Sequence, residues 1–213
     1  MVPKYIIGID EVGRGSLAGP LMVCGVIIPR KFLLKSEIKL RDSKKLLPHQ
    51  RIKLFHLIKD NINIIYQTSL VSSYVIDKIN ISRAANLAAA RVILSLYKNY
   101  PTLVKQAKIY CDGGLDINLK ILKKYNLNFD NKIKVLIKAD EKINAVKIAS
   151  IVAKVKRDNL MMRLHEQYPV YYWDKNKGYG TIDHRKSIIK YGISKFHRLT
   201  FVKNYINLKS TRS

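Results

Sequence analysis

Tyr5-Ile6-Ile7-Gly8-Ile9-Asp10-Glu11-Val12-Gly13-Arg14-Gly15-Ser16-Leu17-Ala18-Gly19-Pro20 sets an apolar run against a pair of acids and then a glycine-rich turn. The β-branched run reads as a buried strand. Apolar strands do not ordinarily end in paired charge, so adjacent carboxylates beside exposed backbone suit a platform for a hard divalent cation. Taken alone they suit equally a strand that ends in solvated acids. Leu21 to Ile28 predicts a second strand, and the short link bearing glycine and proline predicts antiparallel pairing with the first. The turn then lies beside Asp10. Its glycines are not a dinucleotide fingerprint, because the spacing is wrong and they lead into a strand instead of a helix.

The opening theme recurs. Ala107 to Asp112 is a short apolar strand that ends in an acid before Gly113-Gly114, and a strand over Ile133 to Lys138 is followed by Asp140 and Glu141. A long helix is expected from Ile143 to Gln167, with Asp140 placed to cap it or to sit over its positive end. Carboxylates brought together at strand ends raise one another's pKa unless cations neutralise them. His49, His56, His165, His184 and His197 lack zinc-ligand spacing, so oxygen ligands favour Mg²⁺ or Mn²⁺ over Zn²⁺.

Pro48 opens a helix through Arg51, Leu54, Phe55 and Ile58, and Asn61 to Val71 reads as a strand. Ser82 to Tyr97 carries alanines and aliphatics at helical spacing and is closed by Pro101. On the long helix Ser150, Lys154 and Arg157 share one face, which suits either phosphate contacts or a solvated basic stripe. In Asn176-Lys177-Gly178-Tyr179-Gly180-Thr181 the tyrosine can stack on a nucleoside or sugar, or simply anchor the loop. A helix follows from Asp183 to Tyr191, then Phe196-His197-Arg198.

Lys and Arg number 40 against 15 Asp and Glu, a net charge of +25. A chain this basic suits a polyanion, and the phosphate backbone is the usual one. The basic residues are dispersed instead of gathered on one amphipathic helix, which disfavours a membrane surface. With 213 residues and 47% hydrophobic content the chain can bury one sizeable core. Its first residues enter a strand without the regions of a signal peptide, and no apolar run reaches the ~20 residues that span a bilayer. Cys24 and Cys111 sit in apolar runs, where reduced thiols behave as small hydrophobes. A monomer in a reducing cytoplasm is expected.

Five segments, Gly8-Ile9-Asp10-Glu11-Val12-Gly13-Arg14-Gly15, Asp42-Ser43-Lys44-Lys45-Leu46, Asp112-Gly113, Ala149-Ser150-Ile151-Val152-Ala153-Lys154-Val155 with Arg157-Asp158, and Lys177-Gly178-Tyr179-Gly180-Thr181, closely resemble ribonuclease HII in its own order. The resemblance covers nearly the whole sequence. It implies an α/β ribonuclease H-like fold, a mixed central β-sheet flanked by helices with its opening strands antiparallel. It also implies a single catalytic domain over 1–200, with a small C-terminal helical part from about residue 168, and a basic tail over 201–213.

The implied activity is metal-dependent hydrolysis of the RNA strand of RNA-DNA hybrids, with incision 5′ of single ribonucleotides in duplex DNA. Asp10, Glu11, Asp112 and Asp140 match the family's catalytic carboxylates and would hold Mn²⁺ or Mg²⁺ in a two-metal site; Glu141 and Asp116 are further acids near Asp140. Substrate contacts are expected at Gly13, Arg14, Gly15, Ser43, Lys44, Ser150, Lys154, Arg157 and Tyr179. The related ribonuclease HIII carries an additional N-terminal domain before its Asp-Glu motif, and the short lead to Asp10 here favours HII. A nonenzymatic nucleic-acid module would leave the acids unexplained, and a resolvase or transposase of the same fold would leave the glycine turn and tyrosine loop unexplained.

Overall fold

The computed structural model describes residues 2–115 and 132–206. Strands β1 (Tyr5–Val12), β2 (Leu21–Pro29), β3 (Ile65–Val71), β4 (Ala107–Asp112) and β5 (Ile133–Leu136) form one mixed sheet in the order β3-β2-β1-β4-β5. The first three strands are antiparallel, and β1 runs parallel to β4 and β4 to β5. This is the mixed sheet that the resemblance implies. In register, Ile9 faces Cys111 across the parallel pair. The next residues, Asp10 and Asp112, therefore leave the sheet at the same edge, the carboxyl ends of parallel strands, where open α/β sheets bind ligands.

Helices cover both faces. Among the described residues they are α1 (Pro48–Lys59), α2 (Ser73–Ile79), α3 (Ile81–Asn99), α4 (Pro101–Lys105), α5 (Ala139–Lys142), α6 (Asn144–Gln167), α7 (Trp173–Asn176), α8 (Ile182–Tyr191) and α9 (Leu199–Ile206). Strand β2 explains the sandwich: Leu21, Val23 and Ile27 point into a core shared with α3, while Cys24, Val26 and Ile28 point into one shared with α6 and α1. A strand buried on both sides reads as a continuous apolar run. Two glycines let the helices approach. A Cβ on Gly8 would lie 2.2 Å from the Ala145 backbone of α6, and one on Gly25 would lie 2.4 Å from Val92 of α3.

The main strands and helices lie near their expected places, with instructive differences. Strand β3 starts at Ile65 and not Asn61, because Asn61–Ile64 is a turn closed by a bond from the Ile64 amide to the Asn61 carbonyl. Helix α3 ends at Asn99, just before Pro101 as expected, and Pro101 in addition starts α4, where its missing N–H costs nothing. Asp140 does not cap the long helix; it sits inside α5, and α6 begins after Ile143 without a side-chain cap. Phe201 to Ile206, expected as tail, belong to α9, whose Val202 packs with Leu17 and Ile188. The rest of the tail, including Ser210–Ser213, lies outside the described residues, as does Asp116. Among the described residues no helix is long and apolar enough to cross a membrane.

Candidate active site

Three elements deliver the carboxylates. Asp10 and Glu11 come from the end of β1, Asp112 from the end of β4, and Asp140 from α5. Asp112 organises its neighbour, since its Oδ1 accepts the Ala139 amide at 2.8 Å and so anchors the start of α5. Asp140 follows immediately and is buried, within electrostatic reach of Asp112. Glu141 instead points outward and pairs with Lys45 at 2.8 Å, which distinguishes the two neighbouring acids.

The acids are held under strain of charge. Burial, then Glu11 and Asp112, push the Asp10 carboxyl up to about 8, against hydrogen bonds from Ser150 and the Glu11 amide. Burial also raises Glu11, opposed by Arg14 and reinforced by Asp112. Asp140 is raised by burial and then by Asp112 and Asp42. Lys44 reaches in from the loop before α1, its Nζ 3.9 Å from Asp140. Burial works to lower this lysine, yet Asp42, Asp10, Asp140 and Asp112 together raise it.

Ser43 and Ser150 do not face phosphate. Both are buried and joined by a 2.8 Å hydrogen bond, and Ser150 in turn bonds Asp10. In place of the expected substrate contact, the hydroxyls in this structure meet one another and the central carboxylate. Asp42 holds the Lys44 amide at 3.0 Å, and Arg51 donates to the carbonyls of Ser43 and Leu46, at 2.9 and 2.6 Å. Sequence reasoning gave these two residues no role, because their partners are loop backbone groups that carry no pattern.

The glycine turn rests on two buried guanidinium groups. Arg157, fully buried, donates to the carbonyls of Pro20, Lys177 and Ala18 and to Ser16 Oγ at 2.9 to 3.3 Å. Its donors are thus spent on protein oxygens and not turned toward solvent. Arg198, which sequence reasoning left without a role, donates to the carbonyls of Gly13, Arg14 and Gly19. Gly13, at φ 87°, lies so close to Arg157 that a Cβ would meet its Nε at 2.2 Å. The Arg14 side chain turns inward to Glu11, Gly114 and Ser82, while Gly15 is exposed with nothing packed over it.

The tyrosine loop is stitched to this turn. The amides of Leu17 and Ala18 both donate to the Gly178 carbonyl, at 2.8 and 3.2 Å. Gly178 has φ 84°, and a Cβ there would lie 2.4 Å from the Ala18 oxygen. Tyr179, half-buried, has its ring beside the Arg157 guanidinium (5.5 Å) and the Lys154 ammonium (5.8 Å). Lys154 is paired with Asp158 at 2.9 Å, the partner four residues along its own helix.

The donor set fits a divalent cation. Among the described residues no trio of acids, histidines or cysteines closes on its own to coordination distance, and Lys44 and Arg14 stand between the charges. The carboxylates nonetheless supply only hard oxygens, they raise one another toward protonation, and Glu11 Oε2 is buried without a partner. A cation would satisfy that oxygen and relieve the repulsion.

The Ribonuclease HII family model matches residues 7–204. The ribonuclease HII of Caldicellulosiruptor bescii is 40% identical over 206 residues, covering 96% of this chain and 90% of that protein. The structure of ribonuclease H2 from Pyrococcus horikoshii OT3 superposes with a TM-score of 0.72 at 28% identity, covering 98% of this chain and 100% of the other. Bst-RNase HIII, crystallised with Mn²⁺, shares the fold at a TM-score of 0.75 but only 18% identity, with 99% of this chain and 72% of that one covered. The sheet order, the acids gathered at its carboxyl edge and these likenesses agree: the chain belongs to the ribonuclease HII family and is an endonuclease of ribonuclease H type.

Proposed function

We propose that this enzyme cuts RNA-DNA hybrids and also incises duplex DNA 5′ of a single embedded ribonucleotide, leaving 3′-hydroxyl and 5′-phosphate ends. The observation that carries this reading is the direct backbone join between the Gly13-Arg14-Gly15 turn and the Tyr179 loop, beside the carboxylates. A general hybrid nuclease needs only the acids. A turn and an aromatic ring fixed to one another beside them can inspect one sugar at the cut.

Asp10, Glu11, Asp112 and Asp140 would hold Mg²⁺ or Mn²⁺. When bound, a pair of such ions supplies an activated water and charge stabilisation for the leaving oxygen of an in-line displacement. The remaining work belongs to the chain. Ser150, backed by Ser43, keeps Asp10 oriented, and Arg14 holds Glu11 through an ion pair at 3.5 Å. Lys44, open to solvent beside Asp140, is placed to meet a phosphate oxygen. The exposed backbone at Gly15 lets a sugar approach closely, so that its 2′-hydroxyl meets peptide groups. Tyr179 offers a ring face to the adjoining sugar or base. Surface lysines and arginines position the duplex without reading sequence, and the enzyme acts as a cytoplasmic monomer.

The test is nicking of duplex DNA that contains one ribonucleotide, with Mg²⁺ or Mn²⁺, against an all-DNA control. Cleavage at the 5′ side of the ribonucleotide alone is expected. Equal cutting of both duplexes, or cutting of long hybrids only, would sink the proposal.

A further inference from the structure

Behind the tyrosine loop lies a buried chain of polar groups to which neither the fold nor the carboxylates give a role. The ring nitrogen Nδ1 of His197 receives the Ser194 amide at 2.9 Å, and at the other end Nδ1 of His184 lies 2.9 Å from the Tyr179 carbonyl. Between them the two Nε2 atoms are 3.1 Å apart, and the Trp173 indole N–H points at His184 Nε2, also at 3.1 Å. Both histidines are essentially inaccessible, and Trp173 is fully buried. Tyr171 packs edge-on against His197, its ring 4.6 Å away.

The two ends assign the tautomers. A backbone amide only donates, so Nδ1 of His197 is unprotonated and its hydrogen sits on Nε2. A backbone carbonyl only accepts, so Nδ1 of His184 carries the hydrogen and its Nε2 accepts. Donation therefore runs one way, from Ser194 through His197 and His184 to the carbonyl of Tyr179, with the indole as a second donor into His184. The His197 and indole N–H groups share the one lone pair of His184 Nε2, and both rings are neutral. A buried network whose donors run one way rigidifies what it touches.

What it touches is the carbonyl of Tyr179. Other groups hold the residues before it, Asn176 Oδ1 the Gly178 amide and Arg157 the Lys177 carbonyl, whereas the Tyr179 carbonyl itself is met by His184 and by the Thr181 amide at 2.8 Å. We infer that His184, seated by His197 and Trp173, is a positioning residue for ribonucleotide recognition, fixing the backbone of Tyr179 so that its ring meets the sugar at one place. This rests on the reading of Tyr179 given above.

Substitutions that keep or drop one atom at a time test it. His184→Asn puts an amide N–H where Nδ1–H stood and keeps the bond to Tyr179; His184→Gln moves the amide beyond that position and loses it. In the Mg²⁺-loaded enzyme, His184→Gln is expected to lower kcat/KM on duplex DNA with a single ribonucleotide by about tenfold, the scale of one buried hydrogen bond left unmade, with a smaller loss on long hybrids. His184→Asn is expected to restore most of it. Tyr179→Ala completes a double-mutant cycle, and its effect should not add to that of His184→Gln.

Additive losses, or equal impairment by Asn and Gln that follows melting temperature, would overturn the inference and leave the function of Tyr179 standing. A Tyr179→Ala enzyme with unchanged selectivity would overturn the reading of Tyr179, and the inference with it. Should His184→Gln fail to fold, His197→Asn keeps the Ser194 contact, withdraws the donor to His184 and serves in the same cycle.

Discussion

Asp10 answers to opposed demands. A carboxyl that is to hold a metal has to be ionised, yet burial, and then the neighbouring Glu11 and Asp112, push this one up to about 8 against an ordinary 3.8. The sign follows from linkage. A carboxyl whose folded pKa is raised contributes full stability below about 3.8, where both states are protonated, and that contribution is lost as pH rises through about 8. From pH 6 to pH 9 the metal-free protein is expected to lose about 2 to 3 kcal/mol from this residue, or roughly 5 to 10 °C in Tm. Asp10→Asn should flatten that dependence and raise the Tm at pH 9, because an amide keeps the Glu11 and Ser150 partners without the charge. Melting curves of both proteins across this range check it, and parallel pH dependences would contradict it. Bound Mg²⁺ or Mn²⁺ should act in the same direction, stabilising the wild type more at pH 9 than at pH 6. Asp112 separates structure from chemistry in the same way. Its Oδ1 receives the Ala139 amide. Asp112→Asn retains that acceptor, so the fold and duplex affinity should survive while turnover falls by about a hundred- to a thousandfold, the scale of losing a preorganised electrostatic group at the reacting centre. Single-turnover cleavage beside a binding titration separates the two quantities.

At the scale of elements, α6 supports the sheet, the acids and the glycine turn together. Ala145 closes on Gly8 of β1, Ser150 bonds Asp10 one turn and a half later, and Arg157 gathers oxygens of residues 16 to 20 and of Lys177. Arg157→Met is therefore expected to strand several buried acceptors, at about 1 to 3 kcal/mol for each one left unpaired. A drop in Tm of roughly 5 °C or more should accompany weaker cutting of every substrate. Were Arg157 a phosphate contact, Tm would hold and only the salt dependence of binding would shift. The contrast marks what sequence could and could not supply. Ser150, Lys154 and Arg157 do share a helix face, as spacing required, but spacing is the same for a face turned toward solvent and a face turned toward loop carbonyls. The oxygens that claim Arg157 come from chain more than a hundred residues earlier and from a loop beyond the helix. All but the Ser16 hydroxyl are backbone carbonyls, so no residue type announced them. Strand β2 was legible because burial on both sides leaves an unbroken apolar run, and the acids of β1 and β4 were legible because short apolar strands seldom end in charge. Helix α2 was missed since it is seven residues long and abuts α3 across Asn80, whose φ of 65° turns the chain between them. The separate short helix that carries Asp140 was hidden for a similar reason, being only four residues between a strand and a long helix.

Across the whole molecule the charge is divided. Of the scarce acids, Asp10, Glu11, Asp42, Asp112 and Asp140 are close enough to shift one another or Lys44, while Lys and Arg outnumber Asp and Glu 40 to 15 over the chain. Such a field draws a duplex from every side, while the local negative charge repels the phosphate that must enter the site. Affinity and chemistry should therefore respond differently to solution conditions. Binding ought to weaken steeply with salt: a protein that neutralises 6 to 10 phosphates loses about 10³ to 10⁵ in affinity between 50 and 200 mM. A chain of net charge +25 should fall in or near that range. All-DNA duplex should share the slope, because phosphate contacts carry no information about sugar or sequence. With substrate saturating and the metal concentration held fixed, kcat should change little over the same range, since the buried carboxylates are screened much less than the surface. Fluorescence anisotropy against salt for both duplexes, beside kcat at saturation, separates the contributions. A shallow binding slope would mean that the basic surface faces solvent and not nucleic acid, whereas a steep slope for the ribonucleotide duplex alone would mean that sugar recognition itself depends on surface charge. Parallel slopes with an unequal offset are the expected result, the offset measuring what the turn and the tyrosine loop add to a charge-driven encounter.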